Sequence, residues 1–138
     1  MGHIMRLEIV RMADPADPKN KSARPALLYG QPEFIQGELW QIAIPMTSNA
    51  CVTHKGCVLL TNKSPAYAST GFDARESCIQ IKEMFRFRAT AESSELVKRT
   101  GHFLNLAKDK YLHAQFGQVM REVATNNPRE LCQLPIAF

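Results

Sequence analysis

Between Cys78 and Arg88 apolar and polar side chains alternate along the chain. Ile79, Ile81, Phe85 and Phe87 fall on one side, and Gln80, Lys82, Met84, Arg86 and Arg88 on the other. Successive strand residues point to opposite faces, so the pattern predicts a central strand with one oily face and one basic face. The oily face is the expected floor for the elements that pack on the sheet. Glu83 falls on that oily side, which requires it to sit at a rim or to meet a Lys or Arg.

The chain before this strand reads as β structure. Arg6–Met12 alternates with Leu7 and Ile9 inward. Residues 13–25 hold Pro15, Pro18 and Pro25, whose fixed backbone and missing donor predict a loop. Ala26–Gly30 is a short strand, interrupted by Pro32 and resumed, or left as an edge, over Glu33–Gln36. Gln36-Gly37-Glu38 signals a turn. Leu39–Pro45 follows as a strand with Trp40, Ile42 and Ile44 toward the core. Ala50–Thr53 and Cys57–Thr61 flank His54-Lys55-Gly56, the pattern of a hairpin. Residues 62–75, with Pro65 and Gly71, read as a second long loop.

After residue 89 the period changes. Thr90 is placed to cap a helix, with Glu92 and Glu95 in its first turns. Leu96, Thr100, Phe103, Leu104, Ala107 and Tyr111 fall at helical spacing, and Leu112, Phe116, Val119, Met120 and Val123 continue with the phase moved by one residue. This predicts two helices, or one bent helix, over 91–125, ended by Asn126-Asn127-Pro128. The fold class is therefore α+β: an antiparallel sheet or small open barrel of about six strands, then a C-terminal helical segment packed on it. The whole of 1–138 reads as one domain, with 5–89 mainly β and 90–127 helical, and with 1–4 as an expression remnant.

Composition narrows the class. Of 138 residues 45% are hydrophobic and 22% charged, ordinary for a globular domain. No apolar run is long enough to span a membrane, and Met1–Val10 does not resemble a secretion signal. A cytoplasmic location with reduced thiols is the expectation. The net charge of +4 permits, without demanding, an anionic partner.

Cys51-x-x-His54-x-x-Cys57 is the one metal-like spacing, and Cys78 or Cys132 could complete a tetrahedral shell. Three donors crowded on one hairpin, where alternate residues face opposite ways, argue against it. Cys57 beside His54 has no catalytic signature around it. Phosphate loops, nucleophile elbows and His-Glu-x-x-His are absent from the sequence. No enzyme activity, metal or cofactor is expected.

What remains is basic surface. Lys82, Arg86 and Arg88 repeat on the central strand; Lys19, Lys21 and Arg24 sit in the proline-fringed loop; Lys98 and Arg99 fall on the first helix. Single-strand nucleic-acid platforms combine such charges with an exposed aromatic ring, here Tyr29 or Tyr67. The expected function is single-stranded nucleic-acid binding through Lys82, Arg86, Arg88, Lys19, Lys21, Arg24 and Tyr29. One alternative is an interaction or inhibitor module that dimerises through its helical arm. The other is a metal- or thiol-dependent protein built on Cys51, His54 and Cys57.

Overall fold

The computed structural model describes residues 6–12, 23–47, 56–72, 76–88 and 97–126. They form seven strands: β1 (Arg6–Met12), β2 (Arg24–Ile35), β3 (Glu38–Thr47), β4 (Val58–Thr61), β5 (Glu76–Ile79), β6 (Phe85–Arg88) and β7 (Lys98–Asn105). One helix follows, α1 (Lys110–Asn126), and short 3₁₀ turns occupy Ala68–Thr70, Ile81–Glu83 and Leu106–Lys108. Every pairing is antiparallel. The order β4-β5-β3-β2-β1-β7 makes a curled open sheet, and β6 pairs with β3 alongside β5. The α+β class and the C-terminal helix packed on the sheet are as the sequence predicts.

β3 is the hinge of the architecture. Its Met46 and Thr47 pair with β5, while Trp40 to Ala43 pair with β6 on the same edge. The single strand expected over 78–88 is thus two strands in line, separated by the 3₁₀ turn Ile81–Glu83. Two backbone bonds hold the break: Gln80 N–H donates to Pro45 O (2.9 Å) and Lys82 N–H to Gly56 O (2.8 Å). Gly56 is required there. Its φ is +94°, and a Cβ on it would come 2.6 Å from Cβ of Lys82.

The break changes which way side chains point. Ile79, Ile81 and Met84 join the main core with Leu7, Ile9, Leu27, Ile44 and Met46. Phe85 and Phe87 join a second cluster with Val10, Met12, Ala26 and Ala43. Neighbours such as Ile9 and Val10, or Ala43 and Ile44, divide between the two clusters, so these are the two faces of one sheet. The expectation that Ile79, Ile81, Phe85 and Phe87 share one face, the floor for the later elements, is corrected accordingly. Phe85 and Phe87, 3% and 4% exposed, line the face away from the helix. Trp40 is half-buried and belongs to neither cluster.

The stretch 98–105 is a strand rather than a helix. Its alternation is broken by a bulge at Ile9/Val10, where Gly101 adopts φ +75°. Thr100 Oγ1 donates to Ile9 O (2.7 Å) and accepts from His102 N–H (3.1 Å), which fixes the irregularity. The helix begins where the phase of the apolar stripe shifts. Asp109 caps it: Oδ1 accepts from Leu112 N–H (3.1 Å), and Oδ2 accepts from the Ser64 hydroxyl (2.7 Å). Leu112, Phe116 and Val123 then bury against the sheet, with Val119 and Met120 beside them. Within residues 62–72, Ala66, Tyr67 and Thr70 are buried.

Two predictions follow from this packing. Phe85→Ala removes a buried ring and should cost about 3–5 kcal/mol in denaturant unfolding, whereas Phe34→Ala, at an exposed strand position, should stay within about 0.5. The second concerns pH. The Ser64 hydroxyl, then the amides of Leu112 and Tyr111, hold the Asp109 carboxyl below its ordinary value. A lowered folded-state value means that the stabilisation is complete above the unfolded value, about 3.9, and is lost as pH falls through the folded one. Asp109→Ala should therefore cost about 1 kcal/mol at pH 7, and its difference from wild type should shrink as pH falls below about 4.

Candidate nucleic-acid interface

The residues expected to form one basic face do not come together. Lys82 lies exposed on the 3₁₀ turn, its amide tied to Gly56. Arg86 and Arg88 stand opposite Ile42 and Trp40, on the same side of the sheet as α1, and are half-buried. Arg88 Nη1 is paired with Glu38 Oε1 at 3.0 Å, which neutralises it locally. The basic face opposite the helix is thus corrected: that face carries the Phe85–Phe87 cluster. The 3₁₀ turn supplies the reason, because it moves the side-chain phase by one step. Glu83 is exposed on that turn, in keeping with a rim position.

The tyrosines are corrected as well. Tyr29 is half-buried against Phe116, ring centroids 6.0 Å apart, and burial pushes its hydroxyl pKa up. Tyr67 is 7% exposed and meets Phe72 edge-on. Neither offers a free face to a base. Lys19 and Lys21 lie outside the described residues, in the connection from β1 to β2, as do Cys51, His54 and Cys132. Cys57 is a free, half-buried thiol. Burial, and after it the Glu83 carboxylate, push its pKa up against an opposing pull from Lys82. Such a thiol is poorly suited to nucleophilic work near neutrality. Cys78 is disulfide-bonded, which corrects the expectation that every thiol is reduced. That expectation argued from compartment alone, and compartment says nothing of which cysteines the fold brings within bonding distance. Among the described residues no group of three His, Cys, Asp or Glu could hold a metal.

A different basic constellation does assemble. At one end of the sheet the last residues of β1 meet the first of β2 and β7. Arg24 stands opposite Met12, Lys98 opposite Arg11, and Arg99 opposite Val10. Arg11, Arg24, Lys98 and Arg99 are all exposed. Arg11 Nη2 donates to Ala23 O (3.0 Å), and Arg99 Nε reaches Glu8 at 3.4 Å. Arg24 and Lys98 have no ion pair among the described residues. Further along the same two strands the Arg6 guanidinium lies 3.9 Å over the Phe103 ring. β1 and β7 together carry Arg6, Arg11, Lys98 and Arg99 against the single carboxylate Glu8.

This constellation was half visible in the sequence. Arg24 is among the expected contacts, and Lys98-Arg99 stands out as a basic pair. Reading 91–125 as helix separates that pair from Arg11 and Arg24, and only the β1–β7 pairing reunites them. Beside Arg24 lies a cleft of about 20 Å³ between Pro25, Pro45 and Gln80, room for one water and far below substrate size.

Alkylation of Cys57 tests its environment. With its pKa raised, the thiol in the native protein should react more slowly with iodoacetamide at pH 8 than in the unfolded chain, and Glu83→Gln should speed it. Peptide mapping by mass spectrometry reads the rate at this one site.

Comparison of the chain with protein-family models, with curated proteins and with solved structures finds no match.

Proposed function

We propose that this chain is a non-enzymatic binding protein whose ligand is a single-stranded nucleic acid, held at the end of the sheet where β1, β2 and β7 meet. One observation supports the reading: four exposed cations, Arg11, Arg24, Lys98 and Arg99, crowd one end of the sheet, Arg24 and Arg99 on the face of Val10 and Met12 and Arg11 and Lys98 on the other, with Glu8 near Arg99. Arg11 and Lys98 are direct cross-strand partners. Like charges so placed destabilise an antiparallel pair. A polyanion spanning the two strands removes that cost and gains counterion release. Of the residues expected from sequence, Arg24 is kept in the proposal, and Lys19 and Lys21 lie outside the described residues. Lys82, Arg86, Arg88 and Tyr29 are not part of the proposal.

Arg6 and Phe103 supply the aromatic component. A guanidinium stacked on a ring presents its outer plane to a base, and such planes accept any base. Ion contacts at the strand ends and a stacking plane along the same strands suit an extended single strand. They suit a protein surface less well, since they offer no apolar anchor. Among the described residues no helix is long and apolar enough to cross a membrane. The ligand class suits a cytoplasmic setting, whereas the Cys78 disulfide suits an oxidising one, so the reading does not rest on compartment.

The test is fluorescence anisotropy of a labelled oligonucleotide at several salt concentrations. Affinity should fall with a log–log slope of roughly −0.7 per phosphate contacted. Replacing Lys98 and Arg99 together by Ala should flatten the slope by about one to two contacts, while Arg86→Ala with Arg88→Ala should leave it nearly unchanged. Equal slopes for wild type and the Lys98/Arg99 variant, or no binding at low salt, sink the reading.

A further inference from the structure

Beyond the nucleic-acid site the structure holds a second pair of cations, on the face of the sheet that carries α1. The registers of β2, β3 and β6 set two rows of side chains side by side there. One row is Tyr29, Ile42 and Arg86; the next is Glu33, Trp40 and Arg88. Paired strands lie about 4.8 Å apart and alternate residues of a strand roughly 7 Å apart, so the patch measures roughly 10 by 7 Å. The helix covers it only in part. Phe116 of α1 meets the Tyr29 ring at the β2 border, and Tyr29, Ile42, Trp40, Arg86 and Arg88 are all half-buried.

The β6 side of this patch has donors in excess of acceptors. Arg88 Nη1 goes to Glu38 Oε1 (3.0 Å), while its Nε is shut off from water with no hydrogen-bond partner. Arg86 makes no side-chain hydrogen bond or ion pair among the described residues. A half-buried guanidinium ordinarily finds a carboxylate, and a buried N–H left without an acceptor costs free energy that something must offset. Between these donors and the Tyr29–Phe116 border the floor is apolar, formed by Trp40 and Ile42. An aromatic floor with a few polar groups at one end is the make-up of a small-molecule site.

We infer that this patch binds a small organic anion, a flat apolar ring bearing one carboxylate or phosphate. Its anionic group sits on β6 between Arg86 and Arg88, and its ring lies on Trp40 and Ile42. Arg86 and Arg88 are alternate residues of one strand and face the same way, so both guanidiniums reach one anion. Nε and Nη2 of Arg88 form the edge that Glu38 leaves free, and such an edge takes two oxygens of one carboxylate or phosphate. Held through a single atom and 39% exposed, the Arg88 side chain can turn that edge outward. The ligand then supplies the acceptor that Nε lacks. Two exposed carboxylates set the class of ligand. Glu33 lies across Trp40 from Arg88, and Glu38 is tied to Arg88 itself. A chain of phosphates running over the patch would meet one or the other, whereas a single anionic group at Arg86 meets neither. This site therefore differs from the basic end in chemistry as well as in place.

Trp40 is the single tryptophan of the chain, so its emission reports this patch alone. Titration of the full chain with phenyl phosphate, and separately with benzoate, should change that emission saturably. Inorganic phosphate and benzyl alcohol each lack half of the ligand and should bind about tenfold more weakly or worse. Arg86→Gln should weaken binding of the better anion by about tenfold or more, and Arg86→Lys should recover part of the loss, because it restores charge without the fork. Circular dichroism checks the fold of each variant, and Arg88→Gln serves as the second one. Replacing Lys98 and Arg99 together by Ala should leave the titration unchanged. A preference between the two anions supports the inference and names the head group. No saturable change with either anion overturns it. So does an equal response to benzyl alcohol, indifference to both Gln substitutions, or loss of binding on replacing Lys98 and Arg99. None of these outcomes bears on oligonucleotide binding at the basic end, which stands or falls by its own salt slope.

Discussion

The structure depends on one edge of β3 being paired by two different strands that point their side chains differently. β5 and β6 lie in line along that edge, and the 3₁₀ turn between them changes the side-chain phase. A continuous strand over 78–88 would send Ile79, Ile81, Phe85 and Phe87 to one face and leave the other face of β3 basic. The turn instead shares the apolar residues between faces, so that each has its own cluster. Antiparallel sheets commonly bury one face and wet the other. This one buries part of both, which is how a sheet of short strands gains enough apolar burial to hold together. Gly56 secures the arrangement, since no residue with a Cβ fits beneath Lys82 at that backbone angle.

Charge is arranged around that two-sided core. Cations placed on the middle of either face would have to be buried. They are excluded to places where the sheet gives out: the 3₁₀ turn for Lys82, the rim beside Glu38 for Arg88, and the strand ends for Arg11, Arg24, Lys98 and Arg99. Only the last group is both dense and poorly compensated. Its position follows from topology, because β1 and β7 are distant in sequence and antiparallel, and their pairing brings the C-terminal end of one to the N-terminal end of the other.

Legibility in the sequence followed the regularity of each element. β1, β3 and the Gln36-Gly37 turn keep a clean period or an unmistakable turn signal, and each lies where the pattern puts it. The helix is legible from Leu112 onward, where the 3.6 period is unbroken. β7 was hidden by its bulge. Two extra residues, Thr100 and Gly101, interrupt the alternation between Arg99 and His102, and Thr100, Phe103 and Leu104 then imitate helical spacing. The phase change near Asp109 was the visible trace of the true boundary. The candidate site suffered from the same two irregularities: the 3₁₀ turn dispersed Lys82, Arg86 and Arg88, and the bulge concealed Lys98 and Arg99. Tyr29 illustrates a different limit. Strand alternation gives it a face, but whether that face is open depends on Phe116, eighty-seven positions away in the chain.

The cations on β7 also have a simpler use, and weighing it sharpens the functional reading. β7 ends the sheet, pairing with β1 alone among the described strands, and an open edge invites pairing with other chains. Lysines and bulges are standard ways to blunt such an edge, and Lys98, Arg99 and the Thr100–Gly101 bulge meet that need. Edge protection, however, is indifferent to sign. Alternating Lys and Glu would blunt β7 equally well and would relieve the repulsion between Arg11 and Lys98. It also makes no demand on Arg24, which sits on β2 with β1 between it and the edge. Protection thus accounts for charge on β7, and for its bulge, but not for one sign repeated across three strands. That repetition is what the proposed anionic ligand would account for.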